Sequence, residues 1–198
     1  MFYPQILENL IEELKKMPGI GRKSAERIAF YVLKIPNSEL SKLLSSLQKT
    51  NNSLFHCKIC NNLSETEICS ICRNPSRDKT TICIVESPQD MAAIEKSAVY
   101  KGIYYVLWGA ISPLDGIAPQ DLKINKLISY LKTEGIKEVI VATNFTSEGE
   151  STAFFLHKTI VDLKMNINVN RLAQGIPMGS SLEYLDEATI RKGIELRR

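Results

Sequence analysis

The sequence predicts an α/β protein of several modules: a helical hairpin, a small cysteine-bound module, a parallel sheet flanked by helices, and a short C-terminal segment. Three observations carry that reading. Apolar residues recur at helical spacing on both sides of a glycine-containing turn near the N-terminus. Four cysteines fall as two closely spaced pairs. The remainder alternates short apolar strands with amphipathic helices. The 198 residues, 44% of them hydrophobic, suffice to bury a core in one large domain or two small ones. Lys and Arg number 25 against 22 Asp and Glu, and a net charge of +3 does not by itself mark a nucleic-acid binder. Any contact to nucleic acid must come from local clusters. Met1-Phe2-Tyr3-Pro4 has no basic flank leading into a long apolar stretch, and no run approaches about 20 apolar residues. The expectation is a cytoplasmic protein with no membrane partner.

Ile6, Leu7, Leu10, Ile11 and Leu14 alternate with Glu8, Glu12, Glu13 and Lys15 at helical spacing, which predicts a helix over residues 5–16. Met17-Pro18-Gly19-Ile20-Gly21 interrupts it. Ser24, Ala25, Ile28, Ala29, Val32 and Leu33 then resume the spacing until Pro36 and Asn37. This arrangement resembles the helix-hairpin-helix motif. Gly19 and Gly21 let the backbone approach a phosphate, the free amides of the next helix favour an anion, and Arg22, Lys23 and Arg27 stand beside the turn as cations. Such a contact reads the backbone and not the bases, so it predicts DNA binding without sequence preference. The competing reading is an ordinary hairpin with a solvated basic turn, or one whose Ile28, Ala29 and Val32 pack against a neighbouring chain.

Cys57-Lys58-Ile59-Cys60 and Cys69-Ser70-Ile71-Cys72 form two C-x2-C knuckles, whose four thiolates can close a tetrahedral site around one structural zinc ion. The polar segment Asn61–Ile68 between them is too short to build a core, so the metal organises it. No position remains for a reactive water. A redox pair is the rival, but redox C-x-x-C motifs rarely come as two short-spaced copies. His56 reads as a neighbour and not a ligand, and Cys83, inside Ile82-Cys83-Ile84-Val85, as a buried strand residue.

Beyond Lys79 the pattern predicts strands at Thr81–Val85, Ile103–Leu107, Val139–Ala142 and around Ile167–Asn170. Helices are expected to start at Ser87-Pro88-Gln89-Asp90, at Asp121 and at Glu150, the last two running to Lys132 and Lys164. Strand–helix alternation implies a parallel sheet with any site at the strand C-terminal ends, where Glu86 with Asp90 and Glu148 with Glu150 form two acidic clusters.

The strand ending in Glu86, together with Ala142-Thr143-Asn144-Phe145-Thr146-Ser147-Glu148-Gly149-Glu150, is similar to the Toprim domain of topoisomerases and primases. Active Toprim enzymes hold magnesium with a glutamate and an Asp-x-Asp pair. Here the pair falls on Asn144 and Thr146, which do not supply that charge. Scaffold without catalysis is the expectation, against the alternative of a magnesium-dependent nuclease or primase-type enzyme. Tyr3, Tyr31, Tyr100, Tyr104, Tyr105, Tyr130 and Tyr184 all read as packing residues and not as a strand-cleaving nucleophile.

The hairpin, the four cysteines, the altered Toprim, Ser112-Pro113-Leu114-Asp115-Gly116-Ile117 and Gly175-Ile176-Pro177-Met178-Gly179 together resemble, in order and over nearly the whole chain, the RecR family of bacterial recombination mediators. The resemblance divides the chain into a hairpin region (1–53), a four-cysteine zinc finger (54–77), a Toprim domain (78–172) and a C-terminal Walker-B-like segment (173–198) containing Leu182-Glu183-Tyr184-Leu185-Asp186. Without a Walker A loop, Asp186 should not serve ATP hydrolysis. The resemblance implies a non-enzymatic, nucleoid-associated scaffold in DNA repair. It would be a dimer able to close into a tetrameric ring around single- or double-stranded DNA, and would work with RecO and RecF to load RecA onto gapped strands. The acidic residues Glu86, Asp90, Glu148 and Glu150 are expected to dock RecO, with solvated helix caps as the plainer reading. Ser180-Ser181 and Trp108-Gly109-Ala110 depart from the family's usual spelling.

Overall fold

A computed structural model describes residues 3–133 and 135–196. The chain divides into two compact units, 1–54 and 55–198.

The first unit holds α1 (Gln5–Lys15), α2 (Arg22–Val32) and α3 (Asn37–Ser53). Ile11 of α1 packs on Ala25 and Ala29 of α2, all three fully buried, with Leu7, Leu10, Leu14 and Ile20 around them. Two alanines on one face of α2 let the helices approach closely, since no longer side chain separates the backbones. α2 begins two residues earlier than expected because Gly21 serves as its N-cap, with no side chain to cap the first amides. The sequence reading assigns no element to residues 37–53. There Leu40, Leu43, Leu44 and Leu47 fall at i, i+3, i+4 and i+7 of a 17-residue helix in which no residue is buried.

The second unit opens with a two-stranded hairpin, β1 (Phe55–His56) and β2 (Leu63–Ser64), and the short α4 (Ser70–Arg73). A four-stranded parallel sheet follows in the order β4-β3-β5-β6, built from β3 (Asp78–Val85), β4 (Gly102–Val106), β5 (Glu138–Ala142) and β6 (Asn168–Arg171). α6 (Ile124–Thr133) and α7 (Ser147–Asp162) cover one face, burying Leu127, Leu131, Leu156 and Ile160 against Ile82, Ile84, Tyr105, Val139 and Val141. α5 (Pro88–Lys96) places Met91 on the other face against Cys83, Val85, Tyr104 and Val106. Burial on both faces explains why the Ile82–Val85 half of β3 and the whole of β4 are continuous buried runs that do not alternate. Desolvation pushes the Cys83 thiol up to about 12, so it stays protonated in the core.

Several boundaries differ from the sequence reading for identifiable reasons. β3 starts at Asp78, whose amide bonds the Lys101 carbonyl at 2.9 Å. α7 starts at Ser147 and not Glu150, because the Thr146 hydroxyl accepts from Gly149 N and caps the helix there. α6 starts only at Ile124, since Lys123 has φ +52 and breaks the helical run from Asp121. The Walker-B-like stretch is a 3-10 turn, Leu182–Tyr184, leading into α8 (Glu187–Glu195), a helix absent from the sequence reading. The Asp186 carboxylate caps α8 by accepting from Thr189 N at 2.9 Å, a bond that holds its pKa below the ordinary value. Among the described residues no helix is long and apolar enough to cross a membrane.

Strand order places the topological switch point between β3 and β5, because the chain leaves β3 towards β4 on one side and leaves β5 towards β6 on the other. Glu86 and Asn144 lie at that crevice.

Candidate metal centre, switch-point site and nucleic-acid interface

The sulfurs of Cys57, Cys60, Cys69 and Cys72 all lie within 4.8 Å of one another, and all four residues are buried. A tetrahedral zinc–thiolate site, with bonds of about 2.3 Å, needs sulfur–sulfur edges of about 3.8 Å, so the cluster has the right size. Cys60 and Cys69 approach to 3.5 Å as free cysteines, without a disulfide. The bond shared with Cys69 raises the Cys60 thiol, and the bond shared with Cys60 raises Cys72 and lowers Cys69. Backbone amides add a smaller, lowering effect, those of Asn62 and Cys72 acting on Cys60 and Cys69 respectively; Cys69 N also donates to Cys57 Sγ at 3.3 Å. Without a cation the thiolate charge among Cys60, Cys69 and Cys72 is therefore favoured at Cys69 alone, whereas a zinc ion stabilises every thiolate bound to it. His56 is outside this set; its ring packs edge-on against Trp108 with centroids 4.9 Å apart.

The knuckle grips the edge of the main sheet through Asn61, a residue only 1% exposed and held at φ +61. Its amide donates to Cys57 O at 3.0 Å, its Nδ2 to Val106 O at 2.7 Å, and its Oδ1 accepts from Lys123 Nζ at 3.2 Å. Its carbonyl accepts from Trp108 Nε1 at 2.7 Å, and Val106 N donates to Cys60 O at 2.9 Å. The exposed edge of β4 is thus paired where it would otherwise offer free backbone groups. Trp108, at φ +67 where a β-carbon is disfavoured, is held by this clasp. The unusual Trp108-Gly109-Ala110 spelling has this physical account, while nothing in the structure explains Ser180-Ser181.

At the switch point, Glu86 accepts from Asn144 N at 2.8 Å on Oε1 and from Asn144 Nδ2 at 2.7 Å on Oε2. An aspartate at position 144 would repel Glu86 unless a cation lay between them. The asparagine amide instead supplies the donor itself. Gly149 completes the crevice, because a β-carbon there would sit 2.1 Å from Asn144 O and 2.7 Å from Glu86 Oε1. The other acidic residues are not gathered as the sequence suggested. Asp90 forms a capping box with Ser87, accepting from its N at 3.0 Å and Oγ at 2.6 Å. Glu150 pairs with Arg171, whose guanidinium also bonds Thr143 and stacks on Phe145 at 5.0 Å. Only Glu148 has no side-chain partner among the described residues. No group of three carboxylates there draws its oxygens as close as the four sulfurs.

In the hairpin, Gly19 takes φ +76 and requires glycine, whereas Gly21 is extended and a β-carbon would meet nothing within 4 Å. Arg22 is committed inside the unit: it bonds Glu8 and Glu26 at 2.9 Å and Glu12 at 3.3 Å, fastening α1 to α2. The bonds to Glu26 and then Glu8 raise its pKa further. Lys23 and Arg27 are exposed on α2, with no ionic partner among the described residues. Tyr31, read from sequence as a packing residue, is 59% exposed, as is Tyr184 at 84%; both depart from that expectation because their sides of the chain point away from any core.

The clasp ties a spectroscopic signal to the metal. Cys60→Ser lowers zinc content well below one per chain together with soluble yield. Chelation of the wild type shifts emission of Trp108, the only tryptophan, to longer wavelength as its indole leaves Asn61 and His56. Metal analysis and a fluorescence titration check both. An unchanged spectrum in zinc-free protein would show that the sheet edge holds the clasp unaided.

Comparison with known proteins agrees with this layout. Family models match in chain order: a RecR helix-hairpin-helix at residues 7–50, a RecR four-cysteine zinc finger domain at 54–74, a Toprim domain at 80–173 and a RecR C-terminal region at 175–198. The Recombination protein RecR of Clostridium perfringens is 44% identical over 196 residues, covering 99% of this chain and 98% of the relative. That of Tropheryma whipplei strain TW08/27 is 46% identical over the same length and coverage. A hairpin, a four-cysteine zinc site and a Toprim sheet in this order, with this identity over nearly the full length, place the chain in the RecR family.

Proposed function

We propose that this chain is a non-enzymatic mediator of recombinational repair, a cytoplasmic, nucleoid-associated homo-oligomer. In this reading it binds single- and double-stranded DNA without sequence preference and acts with RecO and RecF to load RecA onto gapped strands. The observation that carries it is the division of labour on α2. Arg22 is neutralised by three glutamates, while Lys23, beside the uncapped first amides of the helix, and Arg27, one turn further along, have no ionic partner among the described residues. Gly19 and Gly21 keep the approach to those amides open. Phosphate contact thus belongs to Gly19, Gly21, Lys23 and Arg27, and Arg22 acts as the strut that holds them in place.

The donor set at the switch point weighs against the rival magnesium enzyme. Glu86 is bonded twice by Asn144, Thr146 caps α7, and Asp90 and Glu150 have partners of their own. Of the four acidic residues proposed to meet RecO, Glu148 alone has no side-chain partner among the described residues, and a basic partner surface is its natural complement. Homo-oligomerisation is supported by α3, where Leu43, Leu44 and Leu47 are each about half exposed along one stripe. A second copy is the occupant such a stripe fits.

Lys23→Ala with Arg27→Ala lowers affinity for duplex DNA of any sequence, and the slope of log affinity against log salt falls by roughly 0.9 for each lost phosphate contact. Anisotropy titrations at several salt concentrations measure this, and an unchanged slope assigns the hairpin to structure alone. Glu148→Ala weakens RecO binding, more at low salt than at high, with an unchanged melting temperature; equal affinities at both salts would remove the docking role. Leu43→Glu with Leu47→Glu lowers the mass in solution to that of a smaller species while helical content persists, as light scattering and circular dichroism would show.

A further inference from the structure

The outward face of α2 carries more than its two phosphate cations. Lys23, Arg27, Tyr31 and Lys34 follow one another at spacings of four, four and three, so they form one stripe roughly 16 Å long at the helical rise of about 1.5 Å per residue. Lys34 stays on the stripe because its amide closes a turn onto the Tyr31 carbonyl at 2.9 Å. These four residues, with Tyr3, Glu26 and Phe30, line one shallow cleft of about 470 Å³. The charges in it do not cancel: Glu26 is bonded by Arg22, and Lys23, Arg27 and Lys34 have no ionic partner among the described residues. The aromatic rings divide the same way. Phe30 is held edge-on by Tyr3, with centroids 5.4 Å apart, whereas the Tyr31 ring, 59% exposed, has no ring, hydrogen-bond or ionic partner among the described residues.

An exposed tyrosine between cations suits one kind of ligand. In a duplex both faces of almost every base are already stacked, so a protein ring gains contact only by unstacking them. An unpaired base offers its face directly. We propose that this face of α2 is a single-strand track, in which Tyr31 stacks on an unpaired base while Lys23, Arg27 and Lys34 hold the flanking phosphates. The assignment rests on the DNA-binding reading above and adds to it the form of DNA that α2 prefers and the residue that selects it.

The test uses the full-length protein, a thymidine oligonucleotide and a blunt duplex of equal length, titrated by fluorescence anisotropy at fixed and varied salt. Tyr31→Ala lowers affinity for the single strand roughly 5- to 150-fold and changes duplex affinity less than twofold. Its salt slope is unchanged on both, because no charge is removed. Tyr31→Phe keeps the ring face and restores single-strand affinity. Lys34→Ala lowers the single-strand salt slope by about 0.7. Wild-type affinity of Tyr31→Ala for the single strand, or an equal loss on the duplex, overturns the proposal, as does a fall in oligomer mass, which would make Tyr31 a subunit contact. If Lys23→Ala with Arg27→Ala loses binding while Tyr31→Ala does not, only this inference fails. If neither variant loses binding, the DNA-binding reading fails as well.

Discussion

Four buried sulfurs within 4.8 Å of one another are the constraint on which the second unit hangs. Their mutual approach raises two of the thiols and lowers a third, a conflict that a dication resolves by stabilising every thiolate. Closing the two knuckles around one point sets the position of Asn61, the residue just past the first pair. Asn61 then meets the Val106 carbonyl, the Lys123 ammonium and the Trp108 indole at once. A polar side chain this deeply buried is tolerable only because each of its groups is bonded. The metal site therefore finishes the sheet, pairing the β4 edge that no neighbouring strand covers.

The sheet in turn explains what the switch point can and cannot do. Doubly wound topology opens a crevice between β3 and β5, the place where sheets of this kind bind ligands. In this chain Asn144 donates twice into Glu86, so hydrogen bonds stand where a cation would otherwise have to balance two carboxylates. Gly149 permits the close approach, and a β-carbon there would collide with both residues. The crevice is a cross-linked turn, stiffened further by Arg171 bonding Thr143 and Glu150.

On the hairpin, charge is sorted by pairing more than by number. Three neighbouring cations of α2 look equivalent in a sequence, yet one is surrounded by Glu8, Glu12 and Glu26 and two are left open. An arginine with three carboxylates presents little field to a distant phosphate. Its value lies in fastening α1 to α2, which keeps the open pair in register with the uncapped amides.

The sequence by itself determined the module order, the cysteine cluster and the strands, because each depends on residue type at short, regular spacing. Cys57, Cys60, Cys69 and Cys72 announce a tetrahedral site at any fold, and Asn144 cannot be a carboxylate wherever it lies. Family models bear out the helix-hairpin-helix, the four-cysteine zinc finger and the Toprim domain in that order. Helices α3 and α8 escaped notice, since neither buries a residue and the signal for a helix is strongest where a core selects it. Only the tertiary structure decided the partners of each charge and ring. It separated Arg22 from Lys23, gave Glu150 to an arginine, tied Trp108 to Asn61, and left Tyr31 open to solvent. The physical reason is distance: the bonds Arg22–Glu8, Arg171–Glu150 and Trp108–Asn61 join residues from 14 to 47 positions apart, and electrostatic and hydrogen-bond strength depends on ångströms that no local spacing encodes.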